Sequence, residues 1–193
     1  GHLLLDLESR GCFDFFWLEA NTDKNSKGYG LIRDRAGAIS KAEKSISSIA
    51  SVGFGLSALP IGVEHGWITR EQARERAEGT LNTLSCCAEQ IKGFFHHFMN
   101  IDTAKRDRLC EVSLIDTAIA ISGAIVAGEY FGGAVKEKTN FLYRRVDWDW
   151  YRDPRNNRFY MGYTQEKGFS GWWDFYAEQL MAYILGAGSP THP

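Results

Sequence analysis

The stretch Glu111-Val-Ser-Leu-Ile-Asp-Thr-Ala-Ile-Ala-Ile-Ser-Gly-Ala-Ile-Val-Ala-Gly-Glu-Tyr-Phe131 decides the fold class of this chain. Ser113 is a favourable N-cap and the residues after it are almost all apolar, which predicts a helix from Ser113 to about Phe131. A helix that is apolar nearly all round is buried on most of its sides. We therefore expect this segment to be an inner helix of a helical domain.

Two carboxylates, Glu111 and Asp116, lie where the polar loop gives way to this helix. Carboxylates at a buried helix mouth are candidates for acid/base chemistry, because burial and mutual repulsion separate their pKa values. Ser113 and Asp116 also form a capping pair, in which Asp116 would only stabilise the helix N-terminus. The spacing alone leaves both interpretations open.

Helical periodicity and capping signals predict five further helices, over 3–18, 40–63, 69–87, 134–146 and 174–185. Capping boxes at Ser40 and Thr69 open two of them, and Pro60 is expected to end or kink the first of these two. Apolar and amphipathic helices alternate, which is typical of helical hairpins stacked in an inner and an outer layer. Short extended segments are expected at 94–100 and 158–163.

Composition and charge limit the classes of function. The chain has 193 residues and a formal net charge of −2, so no basic surface points to a nucleic acid partner. No uninterrupted apolar run reaches the roughly 18 residues of a membrane span and no signal peptide is visible, so no membrane association is expected and the compartment, cytoplasmic or periplasmic, stays open. The four cysteines fit no zinc pattern and are expected to be buried free thiols. We expect neither a metal ion nor an organic cofactor.

Six segments spread over almost the whole chain form one set: SIASVGFGL (48–56), GWITR (66–70), GFFHHF (93–98), EVSLIDTA (111–118), RVDWDW (145–150) and GSPTHP (188–193). Together they resemble the bacterial glucoamylase-like family, whose relatives include endo-β-1,2-glucanases with an (α/α)6 barrel. The resemblance implies an all-α fold, an (α/α)6 toroid, and a glycoside hydrolase that acts on a β-linked glucan by carboxylate acid/base catalysis. Family domains are about twice this length, so residues 1–193 are expected to be an N-terminal half of about three hairpins. The open apolar faces of such a half could self-associate.

The resemblance also implies roles for individual residues. The family position that matches Asp116 carries an acid that faces the central cleft, so Asp116 is the expected general acid and Glu111 its partner or positioning group. The candidate substrate-binding residues are Arg33, Asp34, His96, His97, Trp148, Trp172, Trp173 and Glu178. We expect the two acids to lie at the same end of the helical layer as the aromatic segments 94–98 and 172–173.

Each of these candidates has a plainer interpretation. Arg33 and Asp34 could form surface ion pairs only. Paired histidines could suggest a metal, but no third ligand has a suitable spacing, so His96 and His97 are expected to hydrogen-bond to substrate or core. Alternation in an extended segment would place Trp148 and Trp150 on one side as a sugar platform, although most aromatic residues should be core.

Two other functions stay open at this point. The first alternative is a non-catalytic carbohydrate-binding or structural helical module, in which Asp116 is only a cap and the aromatic residues only hold sugar. The second is a sugar epimerase on the same toroid. An epimerase needs two bases that flank its substrate, which the adjacent pair His96 and His97 makes awkward.

Overall fold

The computed structural model of the protein describes residues 2–37 and 41–192. Within these residues the chain is mainly helical, with helices α1 (His2–Leu18), α2 (Lys41–Lys44), α3 (Ile49–Glu64), α4 (Arg70–Cys86), α5 (Leu114–Phe131), α6 (Gly133–Arg144), α7 (Trp148–Tyr151) and α8 (Leu180–Ala187). Short strands join them: β1 (Ile46–Ser48), β2 (Gln90–Ile91), β3 (Phe94–Phe95), β4 (Phe98–Asn100), β5 (Val112–Ser113), β6 (Arg152–Asp153), β7 (Arg158–Thr164) and β8 (Gly168–Trp172). The prediction of an all-α chain is therefore wrong in one respect, because antiparallel strands lie between the helices.

Helices α3 and α5 pack against each other at the centre of the fold. Two glycines allow their close approach, since a methyl group at Gly123 would lie 2.0 Å from the carbonyl oxygen of Gly53, and one at Gly53 would lie 2.5 Å from that of Ile119. Helix α5 has 18 residues and a mean hydropathy of 1.4, so it would be long and apolar enough for a membrane span. The sequence pattern does not predict this, because polar residues interrupt the apolar run. Because 67% of this segment is buried inside the domain, α5 is its core helix, as predicted.

The remaining long helices surround this central pair. Helices α4 and α6 pack against each other and against α3 and α5, and they turn charged residues to solvent. Helix α1 lies against α3, and α8 lies against α5. This arrangement agrees with the predicted inner and outer layers, with α1 against one helix of the central pair and α8 against the other.

Two of the three predicted helix starts are confirmed. Thr69 accepts a hydrogen bond from the backbone of Gln72, whose side chain accepts one from the Thr69 N–H, which completes a capping box. Ser113 is the last residue of β5 and also caps α5, with its hydroxyl 3.2 Å from the Asp116 nitrogen. The third predicted start, Ser40, lies outside the described residues.

The segment 46–48 is a strand, whereas its periodicity predicted a helix. Ile46 pairs with Asn100 and Ser48 with Phe98, so a distant strand satisfies the backbone of this buried segment. Tertiary pairing outweighs local periodicity here. Helix α3 begins only at Ile49 and continues past Pro60, which does not end it.

The last predicted helix begins at Leu180, later than its sequence pattern suggests. Strand β8 pairs with β7 as far as Trp172, and the N–H of Trp173 donates to the carbonyl of Phe159. The sheet therefore holds the backbone as far as Trp173, and residues 174–179 form bends and turns that connect it to α8. The predicted extended segments 94–100 and 158–163 are confirmed as β3, β4 and β7.

The cysteines differ from the expectation of buried thiols. All four are free, but only Cys110 is buried. Cys12 and Cys86 are exposed, and Cys87 is half-buried. Cys86 and Cys87 end an outer helix, which leaves them near the surface.

Candidate active site

An open cleft of about 520 Å³ lies between the start of α5 and the hairpin formed by β7 and β8. It is lined by His97, Leu109, Cys110, Glu111, Ser113, Ile115, Asp116, Met161, Gly162, Thr164, Lys167, Ser170, Gly171 and Trp173. Both predicted acids and one member of each predicted aromatic segment therefore meet at one end of the helical layer.

Backbone pairing fixes the acidic wall of this cleft. Strand β5 pairs Ser113 with Gly162, and the N–H of His97 donates to the carbonyl of Glu111 over 3.0 Å. A methyl group at Gly162 would lie 2.9 Å from Cγ of Glu111. Glycine at this position therefore leaves room for the Glu111 side chain beside the strand.

The side chains of Glu111, His97 and Asp116 follow one another as a polar chain on this wall, and Ser113 adds a contact to its buried end. Nδ1 of His97 lies 2.9 Å from Oε1 of Glu111, and Nε2 of His97 lies 3.8 Å from Oδ2 of Asp116. The Ser113 hydroxyl donates to the same Oδ2. The Asp116 side chain is 10% exposed, against 37% for Glu111, so the imidazole of His97 connects a buried carboxyl to a more open one.

The environments of the two carboxyls move their pKa values in opposite directions. Burial raises the pKa of Asp116 above its ordinary value, although the charge of His97 and the hydrogen bond from Ser113 oppose this. The hydrogen bond from His97 lowers the pKa of Glu111, against the effect of burial. Two neighbouring carboxyls with separated pKa values are the usual arrangement for one acid and one ionised partner.

His97 takes part in the same electrostatic chain. Burial alone would lower its pKa, but the hydrogen bond to Glu111 and the negative charges of Asp116, Glu111 and Asp34 outweigh burial and raise the pKa of His97 above its ordinary value. The two carboxyls thus stabilise the imidazolium form of His97 more than solvent would. His96 next to it behaves differently, because burial lowers the pKa of His96.

The same three side chains offer metal-ligand atoms, all within 4.8 Å of one another. Spacing in the sequence did not reveal this group, because His97 comes from the loop before β4 whereas Glu111 and Asp116 flank the start of α5. The distance of 2.9 Å between His97 and Glu111 suits a hydrogen bond, so one imidazole nitrogen is already engaged. Nε2 of His97, the second oxygen of Glu111 and the carboxylate of Asp116 are still available, so three side chains can supply ligands and the expectation that the histidines lack a third ligand is wrong for His97.

Two predicted substrate-binding residues are in the core. Trp148 is only 1% exposed and packs edge-on against Phe94. Asp147 caps the helical turn α7, so Trp148 and Trp150 are not in an extended segment and the predicted sugar platform is wrong. His96 is 2% exposed, and the structure does not bring its side chain to the cleft.

Arg33 and Asp34 lie outside the cleft lining and form ion pairs, as their plainer interpretation predicted. Arg33 lies 2.5 Å from Glu19 and also donates to the carbonyl of Lys44, and Asp34 lies 2.7 Å from Arg35. Asp34 still bears on the site through its charge, which helps to raise the pKa of His97.

The two neighbouring tryptophans of the late aromatic segment differ in position. Trp173 lines the cleft, and its buried indole nitrogen has no hydrogen-bond partner among the described residues. Trp172 is 39% exposed, stacks on Tyr160 and donates its indole N–H to Asp153 over 3.1 Å. Glu178 is exposed in the connection before α8 and does not line the cleft.

Sequence reasoning missed the contribution of the β7–β8 hairpin to the cleft, which consists of Met161, Gly162, Thr164, Lys167, Ser170 and Gly171. The signal was present, because Gly168 separates two segments rich in aromatic residues, a pattern that favours a hairpin.

Comparisons with known proteins confirm the resemblance seen in the sequence. No protein-family profile matches the chain. The exo β-1,2-glucooligosaccharide sophorohydrolase (non-reducing end) of Parabacteroides distasonis is 25% identical over an alignment of 207 positions, gaps included. The alignment covers 98% of this chain and 27% of that protein. The endo-β-1,2-glucanase of Chitinophaga pinensis, solved with sophorotriose and glucose, is 27% identical with a TM-score of 0.86 over 97% of this chain and 47% of its own.

A third relative is a candidate glucoamylase from Bacteroides caccae, 28% identical with a TM-score of 0.84. The match covers 99% of this chain and 48% of that one. The chain thus resembles glucoamylase-like proteins in sequence and in fold, and it spans about half the length of these solved relatives.

Proposed function

We propose that the chain is the N-terminal half of an (α/α)6 catalytic domain of a glycoside hydrolase that cleaves a β-linked glucan, with β-1,2-glucan as the first candidate. Two named relatives act on β-1,2-glucan or its oligosaccharides, which supports the substrate class. One observation carries the proposal: an open cleft holds two carboxyls whose pKa values are displaced in opposite directions. Glycoside hydrolysis requires one protonated carboxyl beside the scissile bond.

Asp116 is the proposed general acid. Its burial keeps the carboxyl protonated at a higher pH than an exposed aspartate would allow. The Ser113 hydroxyl donates to Oδ2, which leaves Oδ1 to carry the transferable proton. In this role Asp116 would protonate the glycosidic oxygen as the bond to the departing sugar breaks.

Glu111 does not suit the role of the opposing base or nucleophile. The two carboxylates of a glycosidase lie on either side of the scissile bond, about 5–5.5 Å apart for retention and 6.5–9.5 Å for inversion. Here His97 bridges Glu111 and Asp116, whose ligand atoms lie within 4.8 Å, so a sugar cannot pass between them. We propose that Glu111 positions His97, and that the opposing carboxylate comes from the rest of the polypeptide.

Trp173 is the proposed sugar contact among the aromatic candidates. It forms part of the cleft wall, so its ring can contact a sugar, whereas its indole nitrogen is buried and is not proposed as a donor. Lys167 at the exposed end of the hairpin lines the same cleft and could donate to sugar hydroxyls.

The direct test is the release of reducing sugar from β-1,2-glucan by the complete polypeptide that carries this chain. β-1,3- and β-1,4-glucans are the controls for linkage. If the polypeptide bound β-1,2-glucan but released no sugar from it, the proposed hydrolysis would be contradicted and the carbohydrate-binding module would be favoured instead.

The polar chain predicts a titration that can be followed in this chain without turnover. We expect the His97 imidazole to titrate above the ordinary value of 6.5, because its imidazolium is bound by Glu111. Replacing Glu111 with Gln should bring the pKa of His97 down, whereas Glu137→Gln on the exposed face of α6 should not. Imidazole NMR signals measured against pH report both results.

The sign of the stability effect follows from the same shift. A histidine whose pKa is raised in the folded state stabilises the fold fully below about pH 6.5, and this contribution is lost as the pH rises through the pKa of the folded state.

A His97 signal that titrates identically in wild type and Glu111→Gln would refute the proposed bridge.

Apolar side chains are exposed on α1 and on α8. On α1, Leu3, Leu4, Leu5 and Leu7 are each more than 60% exposed, and on α8 Ile184 is 63% exposed. We propose that these surfaces are covered by further helices in a complete toroid, and that the chain alone self-associates through them.

Light scattering upon dilution measures this self-association, with an expected mass above the 21.8 kDa of one chain. Ile184→Glu should lower the measured mass, since a charge would then be buried at the contact. A monodisperse monomer at high concentration would count against the proposal.

A further inference from the structure

Cys86 and Cys87 form a pair of converging thiols at the C-terminal end of α4. Their sulfur atoms lie 3.0 Å apart. Cys86 is exposed and Cys87 is half-buried, so the pair is open to small molecules. Both residues line a surface groove of about 560 Å³ that shares no residue with the cleft of Asp116.

The backbone that carries the pair is held on both sides. The guanidinium of Arg145 donates to the carbonyls of Leu84 and Ser85 over 2.6 and 2.8 Å, and the N–H of Cys87 donates to Thr83 over 2.9 Å. The last turn of α4 is thus fixed before any ligand arrives. A prearranged pair loses little conformational entropy when both thiols bind one atom.

A disulfide within this pair is disfavoured by geometry. Neighbouring Cα atoms are about 3.8 Å apart across a trans peptide, whereas disulfides usually need about 4.4–6.8 Å. Closing the S–S bond would therefore strain the peptide between the two residues. A single atom bonded to both sulfurs does not require the sulfurs to bond to each other, so it avoids this strain.

We propose that Cys86 and Cys87 form a bidentate binding site for thiophilic atoms, represented by trivalent arsenic. With phenylarsine oxide, two arsenic–sulfur bonds form, and the arsenic-bound oxygen leaves as water with the two thiol protons. No electron is transferred, so the reaction needs neither an oxidant nor a reductant.

The two thiols are unequal, which suggests an order of bonding. The hydrogen bond with Cys86, together with burial, raises the pKa of Cys87, although the charges of Lys27 and Lys105 oppose this. Cys87 is therefore the less readily ionised and the less accessible thiol, and we expect the more exposed Cys86 to bond first. The second bond then closes within one molecule, where a high effective concentration favours it.

The test is intact-mass spectrometry of the reduced chain after treatment with one equivalent of phenylarsine oxide. Every variant carries Cys12→Ser, which removes the other exposed thiol. The expected adduct contains one phenylarsenic group and survives an excess of a monothiol, while 2,3-dimercaptopropanol removes it. Cys86→Ser and Cys87→Ser should each weaken retention by about 10²-fold or more, because either serine leaves a single bond.

Three results would overturn the proposal. An adduct that a monothiol removes from the parent chain would show single-thiol binding. Equal retention in Cys86→Ser or Cys87→Ser would place the arsenic elsewhere. A parent chain that is isolated two hydrogens lighter, and binds the reagent only after reduction, would show that the pair exists as a disulfide.

Discussion

Replacing Asp116 with Asn in the complete polypeptide is expected to lower kcat for glucan hydrolysis by about 10²–10⁴-fold, the usual contribution of a general acid. Asparagine has the same size as aspartate but cannot transfer the proton to the glycosidic oxygen. The Ser113 hydroxyl can still donate to its side-chain oxygen, so α5 should keep its N-terminus. Initial rates of reducing-sugar release over a range of glucan concentrations separate kcat from KM.

Glu137→Gln, on the exposed face of α6, is the matched control and should leave kcat unchanged. Circular dichroism and thermal unfolding show whether each variant is folded. If Asp116→Asn lost stability but kept its kcat, Asp116 would be a helix-capping residue only. That outcome would remove the proposed acid while leaving the resemblance to glucan hydrolases intact.

Replacing Gly123 with Ala is expected to lower the free energy of unfolding by about 1–3 kcal/mol, the usual cost of overpacking a core. Its new methyl group would lie 2.0 Å from the carbonyl oxygen of Gly53, so α3 and α5 must move apart. This cost opposes the preference for alanine in helices, about 1 kcal/mol over glycine. Urea unfolding followed by circular dichroism measures the difference.

Gly11→Ala provides the opposite expectation within the same protein. No atom lies within 4 Å of a methyl group placed at Gly11 in α1, so helix propensity should act alone and raise the free energy of unfolding by about 0.5–1 kcal/mol. If both variants were stabilised to the same extent, the close contact of α3 and α5 would not be what requires glycine.

Sequence periodicity predicts the long helices well because each buries a face whose residues are three or four positions apart. The helix starts at Thr69 and Ser113 are equally local, since cap and partner lie three residues apart. Segment 46–48 and the late start of α8 depend on strands elsewhere in the chain. No local pattern reveals that Ile46 pairs with Asn100 or that Trp172 pairs with Tyr160.

In the candidate site, too, residues that are close in the sequence were predicted, and contacts between distant residues were not. Glu111 and Asp116 were accessible to sequence reasoning because they flank one helix start. The bridge through His97 was not, because it depends on the N–H of His97 reaching the carbonyl of Glu111 across the fold. Trp148 was misassigned because an aromatic residue in a core and one in a sugar site have the same composition signal, and only its 1% exposure separates them.

The two walls of the cleft, the acidic wall and the β7–β8 hairpin, differ in how well they tolerate insertions and deletions. The acidic wall is tied to the core through β5 and α5, so insertions there would disturb the whole domain. The hairpin ends in an exposed turn at residues 165–167, where added or deleted residues need not disturb the core. Under the proposed function, a change in the length of that turn would change how many sugar units fit in the cleft, while Asp116, His97 and Glu111 keep their arrangement.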